Sequence, residues 1–124
     1  MIGVTSMRNV TLKRFEAPDK ILPFPRGRFE LIDIGGLTIG RATHGPGYKW
    51  SVDNAPLVGT SRCHLEHVGF VLQGRATTAF DDGRGWELTP GTLFHVPAEP
   101  HDLWVVGDEP YVTLHFLGGG YYSK

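Results

Sequence analysis

The sequence predicts an all-β domain of short strands, a sandwich or a barrel, and three observations carry that reading. The chain of 124 residues contains 17 glycines and nine prolines, which interrupt it too often for long helices. Around nine short runs of strand length lie between these turn residues. Several of the runs alternate apolar with polar residues, the period of a strand that buries one face.

Residues 1–9 show no period and read as a loosely held start. Val10-Thr11-Leu12-Lys13-Arg14-Phe15 alternates and predicts a half-buried strand. Pro18, Pro23 and Pro25 then mark a connection that excludes a helix. Phe29–Ile34 and Leu37–Ala42 flank Gly35-Gly36, the spacing of a two-residue hairpin. His44-Gly45-Pro46-Gly47 is a turn that leaves His44 in solvent, and Tyr48–Trp50 reads as a short edge strand. Residues 51–61 form a longer loop broken by Asp53-Asn54 and Pro56. His67–Leu72 and Arg75–Phe80 make a second hairpin around Gln73-Gly74. Asp81–Gly85 is a polar turn, followed by strands at Trp86–Leu88, Thr92–Val96, Leu103–Val106 and Tyr111–Leu117. Gly118-Gly119-Gly120 ends regular structure.

Residues 1–124 are read as one domain, long enough to bury roughly two-thirds of the surface its unfolded chain exposes. A hydrophobic content of 40%, a charged content of 20% and a net charge of -1 describe a soluble globular protein. That charge offers no footprint for nucleic acid or for an anionic membrane. No secretory leader and no membrane-spanning run is expected, and a single cysteine excludes an internal disulfide framework. The expected compartment is a reducing cytoplasm.

Chemistry concentrates in Cys63-His64-Leu65-Glu66-His67, just ahead of an apolar run that ends at Gly74. On a helix, His64 and His67 would share a face, as would Cys63 and His67. The β-rich run that follows favours a strand, where Cys63 and His67 point to one side and His64 to the other. A second apolar run, Gly91 to His101, delivers a histidine after Pro97.

These two segments resemble the paired motifs of the cupin superfamily, small conserved β-barrels of the jelly-roll type. The first cupin motif reads H-x-H, three or four residues, Glu, six residues, Gly. Anchored on Gly74, its Glu falls on His67, its second His on Cys63 and its first His on Ser61. The second motif, G-x5-P-x-G-x2-H, is matched by Gly91, Pro97 and His101 with the last interval one residue short. Glu99 stands where that motif has glycine, and Val105 where an Asn is usual. The resemblance covers about residues 40–117, with residues 1–20 as an N-terminal arm or strand.

The resemblance implies a single-domain jelly-roll barrel, a cupin-like double-stranded β-helix, with a divalent transition metal inside. By carry-over the ligands are Cys63, His67 and His101, and His115 on the last strand is a further candidate. Imidazoles with one thiolate suit Zn²⁺ or Fe²⁺ best; Mn, Ni and Cu are further candidates. Three protein ligands leave positions open for water or substrate. Cys63 also reads as a packed core residue, and His115 as a strand histidine satisfied by a backbone carbonyl.

Trp50, Phe70 and Trp104 are the candidate walls of a small-molecule pocket, Trp104 first among them. Glu99 is the better of two weak acid–base candidates, with Glu66 pointing outward. Two functions compete. One is a metal-dependent enzyme acting on a small organic molecule, its class (oxygenase, isomerase or cyclase) open. The other is a cupin that binds or senses a small ligand without catalysis. The expected partners are that small molecule and a second copy of the chain, since cupins commonly dimerise by exchanging or augmenting strands such as Val10–Phe15.

Overall fold

The computed structural model describes residues 9–117, so the expectations for residues 1–8 and for Gly118–Gly120 lie outside it. Nine strands are described: β1 (Lys20–Phe24), β2 (Gly27–Ile34), β3 (Leu37–His44), β4 (His67–Gln73), β5 (Arg75–Phe80), β6 (Gly85–Leu88), β7 (Leu93–Val96), β8 (His101–Val106) and β9 (Tyr111–Leu117). They form two sheets, one of six strands in the order β1-β2-β3-β9-β4-β7 and one of three in the order β6-β5-β8. All the pairings are antiparallel.

Alternation decides what faces inward. On β3 the buried positions are Gly40, Ala42 and His44; on β4 they are His67, Gly69 and Val71; on β9 they are Tyr111, Thr113 and His115. Gly40 pairs with His115 and His44 with Tyr111, so the inward rows of β3 and β9 run side by side. β9 pairs in turn with β4, Gly69 opposite His115, with irregularities at Val68/Gly69 and Val71/Gln73. Apolar packing from both sheets closes the interior, with Val71 and Tyr111 meeting Ala76 and Leu88. Phe29, Leu31 and Ala42 form a second cluster, and Tyr48, Trp50 and Cys63 a third.

The hairpin at Gly35-Gly36 forms as its spacing predicts, with Ile34 opposite Leu37. Five expectations are corrected. Val10–Phe15 is not a strand: Val10 and Leu12 are 83% and 88% exposed, with no face to bury. The first described strand is β1, within the proline-marked connection. Pro23 is tolerated there because β1 is an edge, where a missing N–H leaves no partner unbonded. β1 is one outer edge of the six-stranded sheet and β7 is the other.

Gln73-Gly74 is not a hairpin turn, because β4 and β5 belong to different sheets. Gly74 instead takes the chain across from one sheet to the other at φ 76°, against the Pro110 carbonyl; a Cβ there would lie 2.3 Å from that oxygen. The loop at 51–61 contains two single helical turns, α1 (Trp50–Asp53) and α2 (Ala55–Val58). Lys49 makes only an isolated bridge to Trp104 before α1 begins. His44, expected in solvent, is 7% exposed, because the strand reaches it before the turn starts. No described helix is long and apolar enough to cross a membrane.

Candidate metal centre

Three donor residues converge inside the barrel. One ligand atom from each of Cys63, His67 and His101 lies within 4.8 Å of the others, and all three residues are buried. Each comes from a different place. His67 opens β4, His101 opens β8, and Cys63 lies within the connection between α2 and β4. Cys63 is bound to His101 through an isolated antiparallel bridge. His64 is exposed, in the short segment between the Cys63 bridge and β4.

Local chemistry orients these side chains. The Nδ1 of His101 lies 2.8 Å from the Glu99 carbonyl oxygen. A carbonyl only accepts, so Nδ1 carries the proton and Nε2 keeps its lone pair. Cys63 Sγ lies 3.5 Å from His67 Nε2. Zinc–sulfur and zinc–nitrogen bonds of about 2.3 and 2.0–2.1 Å at a tetrahedral angle place the two donors about 3.5 Å apart. The donor set and this spacing both fit a transition ion.

The imidazoles are neutral at pH 7. Burial lowers His67 to about 3, helped by neighbouring His115 and His101. Burial also lowers His101, opposed by its bond to Glu99 and by Asp102. Neutral imidazoles are what metal ligation requires.

His115 stands beside this cluster, its ring 5.4 Å from that of His67. Its Nε2 shares a hydrogen bond with Thr113 Oγ1 at 3.0 Å, while its Nδ1 is buried with no partner among the described residues. Glu99 is exposed and paired with Arg84 at 2.8 Å; it touches the cluster through its backbone carbonyl only. Glu66 is also exposed, paired with His95 at 2.7 Å.

A cavity of about 50 Å³ adjoins the cluster, with Trp50, Phe94 and Tyr111 among its walls. It has room for a compact group of a few heavy atoms. Phe70 and Trp104 are not among its lining residues. On its strand, Trp104 faces the side opposite the inward Leu103 and Val105, and the Lys49 ammonium lies 5.4 Å from its ring. An outer groove of about 440 Å³, with Trp86 and Leu93 on its rim, shares Thr78, Leu88, Phe94 and Val96 with the cavity.

His44 is the cavity histidine that sequence reasoning placed in solvent. Its signal was the row Gly40-Ala42-His44, whose small members mark an inward face of β3. Burial lowers its pKa to about 3, so it too is neutral.

The two-sheet fold matches known structures. A cupin-2 domain protein from Rhodospirillum rubrum superposes with a TM-score of 0.55 at 19% identity, over 86% of this chain and 65% of that one. The fold is that of the cupins. An oxalate decarboxylase from Lactobacillus farciminis, solved as a formate complex, matches at TM-score 0.55 and 20% identity. That match covers 77% of this chain but 30% of the decarboxylase, so the cupin barrel here corresponds to a minor part of the larger enzyme. A protein of unknown function from Acinetobacter sp. ADP1 matches at TM-score 0.59 and 12% identity, over 80% of this chain and 90% of its own. No family model matches the chain, and no curated protein does.

Proposed function

We propose that this cupin holds a divalent transition metal through Cys63, His67 and His101 and acts on a small organic molecule in the adjoining cavity. The observation that carries the reading is the convergence of three buried donors within 4.8 Å. Zn²⁺ or Fe²⁺ suits one sulfur and two imidazoles; Mg²⁺ and Ca²⁺, which take oxygen ligands, do not. When bound, such an ion supplies Lewis acidity and an open coordination position. The protein's own residues set the stage. The Glu99 carbonyl fixes the His101 tautomer, burial keeps His67 neutral, and the Cys63–His101 bridge locks two donors together. His115 is placed to contact a molecule bound beside His67.

A second reading, ligand binding without catalysis, is favoured by one specific feature. No Lys, Arg, Asp or Glu is among the residues that line the cavity. Its titratable groups other than Cys63, Tyr48 and Tyr111 are buried histidines with lowered pKa values, which are poor bases.

Elemental analysis of the purified protein tests the main reading, alongside His67→Ala and His101→Ala variants checked for folding. Near-stoichiometric metal that is lost from both folded variants is the expected result. A wild-type protein that takes up no transition metal, even on reconstitution, overturns it. Retained ligand binding after metal removal would favour the binding module.

A further inference from the structure

Five buried side-chain atoms have no hydrogen-bond partner among the described residues: His44 Nδ1, Trp50 Nε1, His67 Nδ1, Tyr111 Oη and His115 Nδ1. All five residues line the one cavity. Folded proteins satisfy the great majority of buried polar groups, so such a concentration marks a place where something else completes the bonds. Two of the five, His67 and His115, belong to the candidate metal centre and its flank. The other three form a separate set. The His44 ring centroid is 5.9 Å from that of Tyr111 and 4.4 Å from that of Tyr48, and Tyr48 packs in one cluster with Trp50.

We propose that His44, Trp50 and Tyr111 form a hydrogen-bonding subsite for a compact, uncharged molecule bearing a carbonyl or similar acceptor, as in a small amide. The Trp50 indole N–H only donates, so the ligand must present an acceptor to it. The Tyr111 hydroxyl and the His44 imidazole each donate or accept, so they complement either a second acceptor or an adjacent N–H or O–H. Charge selects against ions. The lining contains no Lys, Arg, Asp or Glu.

The buried carboxylates nearby are committed elsewhere. Asp102 accepts from the Ser51 N–H, the Ser51 hydroxyl and the Leu103 N–H. Asp53 accepts from Arg26 and from the Lys49 N–H. An anion or cation in the subsite would lose its hydration without gaining a counter-charge. The subsite deepens the proposed function by naming the class of molecule its cavity takes. It rests on that reading for the location only, since none of its three residues belongs to the Cys63/His67/His101 set.

The test uses three near-isosteric probes: acetamide, acetate and acetamidinium. Each is titrated into ¹⁵N-labelled protein, with and without zinc, while the Trp50 indole N–H resonance is followed. That resonance is assigned by its disappearance in Trp50→Phe. The expected result is a saturable shift with acetamide in both forms, with acetate and acetamidinium at least tenfold weaker in the zinc-free protein. Tyr111→Phe, which removes only the hydroxyl, should weaken acetamide about tenfold, as should His44→Phe.

Equal or tighter binding of either ion in the zinc-free protein overturns the proposal. So does the absence of any saturable shift in the folded protein, which would leave ordered water as the occupant. An unchanged acetamide affinity in Tyr111→Phe overturns it too. An acetamide shift that requires zinc overturns the subsite and leaves the metal reading standing. An acetamide shift in a protein that takes up no zinc overturns the metal reading and leaves the subsite standing.

Discussion

Cys63 and His101 exchange both backbone hydrogen bonds, at 2.9 Å from the Cys63 N–H and 3.0 Å from the His101 N–H. The pair sets two donor side chains from distant parts of the chain against each other before any ion arrives. Cys63→Ser keeps this backbone pairing and nearly the same volume. The variant is therefore expected to fold, and to bind zinc at least tenfold more weakly because a neutral hydroxyl replaces a thiolate. Competition with a chromogenic chelator measures the affinity, and cobalt substitution shows whether sulfur is bound. A wild-type cobalt protein without a thiolate charge-transfer band would return Cys63 to a packing role.

Gly69 lies on β4 opposite Phe94 of β7, and a Cβ there would fall 2.5 Å from the Phe94 ring and 2.3 Å from the Leu114 carbonyl oxygen. The glycine lets the Phe94 ring lie over the strand and meet His115, with centroids 5.8 Å apart. Gly69→Ala must push the ring or split the β4–β9 pairing. A loss of about 1–3 kcal/mol is expected, the usual cost of overpacking a filled interior. Urea unfolding measures it, and an unchanged midpoint would mean that the strand relaxes without strain.

The sheet architecture was largely legible because alternation and turn residues are local signals. Gly35-Gly36 flanked by alternating runs specifies its hairpin without reference to the rest of the chain. Gln73-Gly74 carries the same local signal and does something else. Only the Pro110 carbonyl packed against Gly74 and the separate partners of β4 and β5 distinguish a crossing from a hairpin, and neither is written nearby. Val10–Phe15 failed for a related reason, since alternation names a face to bury but not whether a surface exists to receive it. Cys63, His67 and His101 were found as a set because two spaced motifs pointed at them. His44 was lost because a Gly-Pro turn beside it outweighed the inward row it completes.

Asp102 supports the cavity from behind. Its carboxylate accepts from the Ser51 N–H at 3.0 Å, the Ser51 hydroxyl at 2.7 Å and the Leu103 N–H at 2.9 Å. These bonds tie α1, which carries Trp50, to β8, which carries His101. Asp102→Ala leaves three donors to find other acceptors, and a destabilisation of about 2–3 kcal/mol is expected. Ser51→Ala removes only one of the three and should cost roughly 1 kcal/mol. Equal losses in the two variants would show that the backbone donors find other acceptors.

Three neutral histidines make the metal-free fold acid-sensitive. Burial lowers His44, His67 and His115 each to about 3, against an ordinary value of 6.5. Between these limits the unfolded chain binds protons that the folded chain refuses. Stability is therefore full above about pH 6.5 and falls as the pH drops toward 3. Each histidine contributes a slope of up to about 1.4 kcal/mol per pH unit, and the three together up to about 4. With a total stability of about 5–15 kcal/mol, the metal-free protein should unfold in mildly acid buffer. His44→Phe removes one of the three slopes. Urea midpoints of the chelator-treated protein between pH 7 and 5 should fall less steeply in that variant than in the wild type. Identical pH dependence would show that His44 accepts a proton inside the folded barrel.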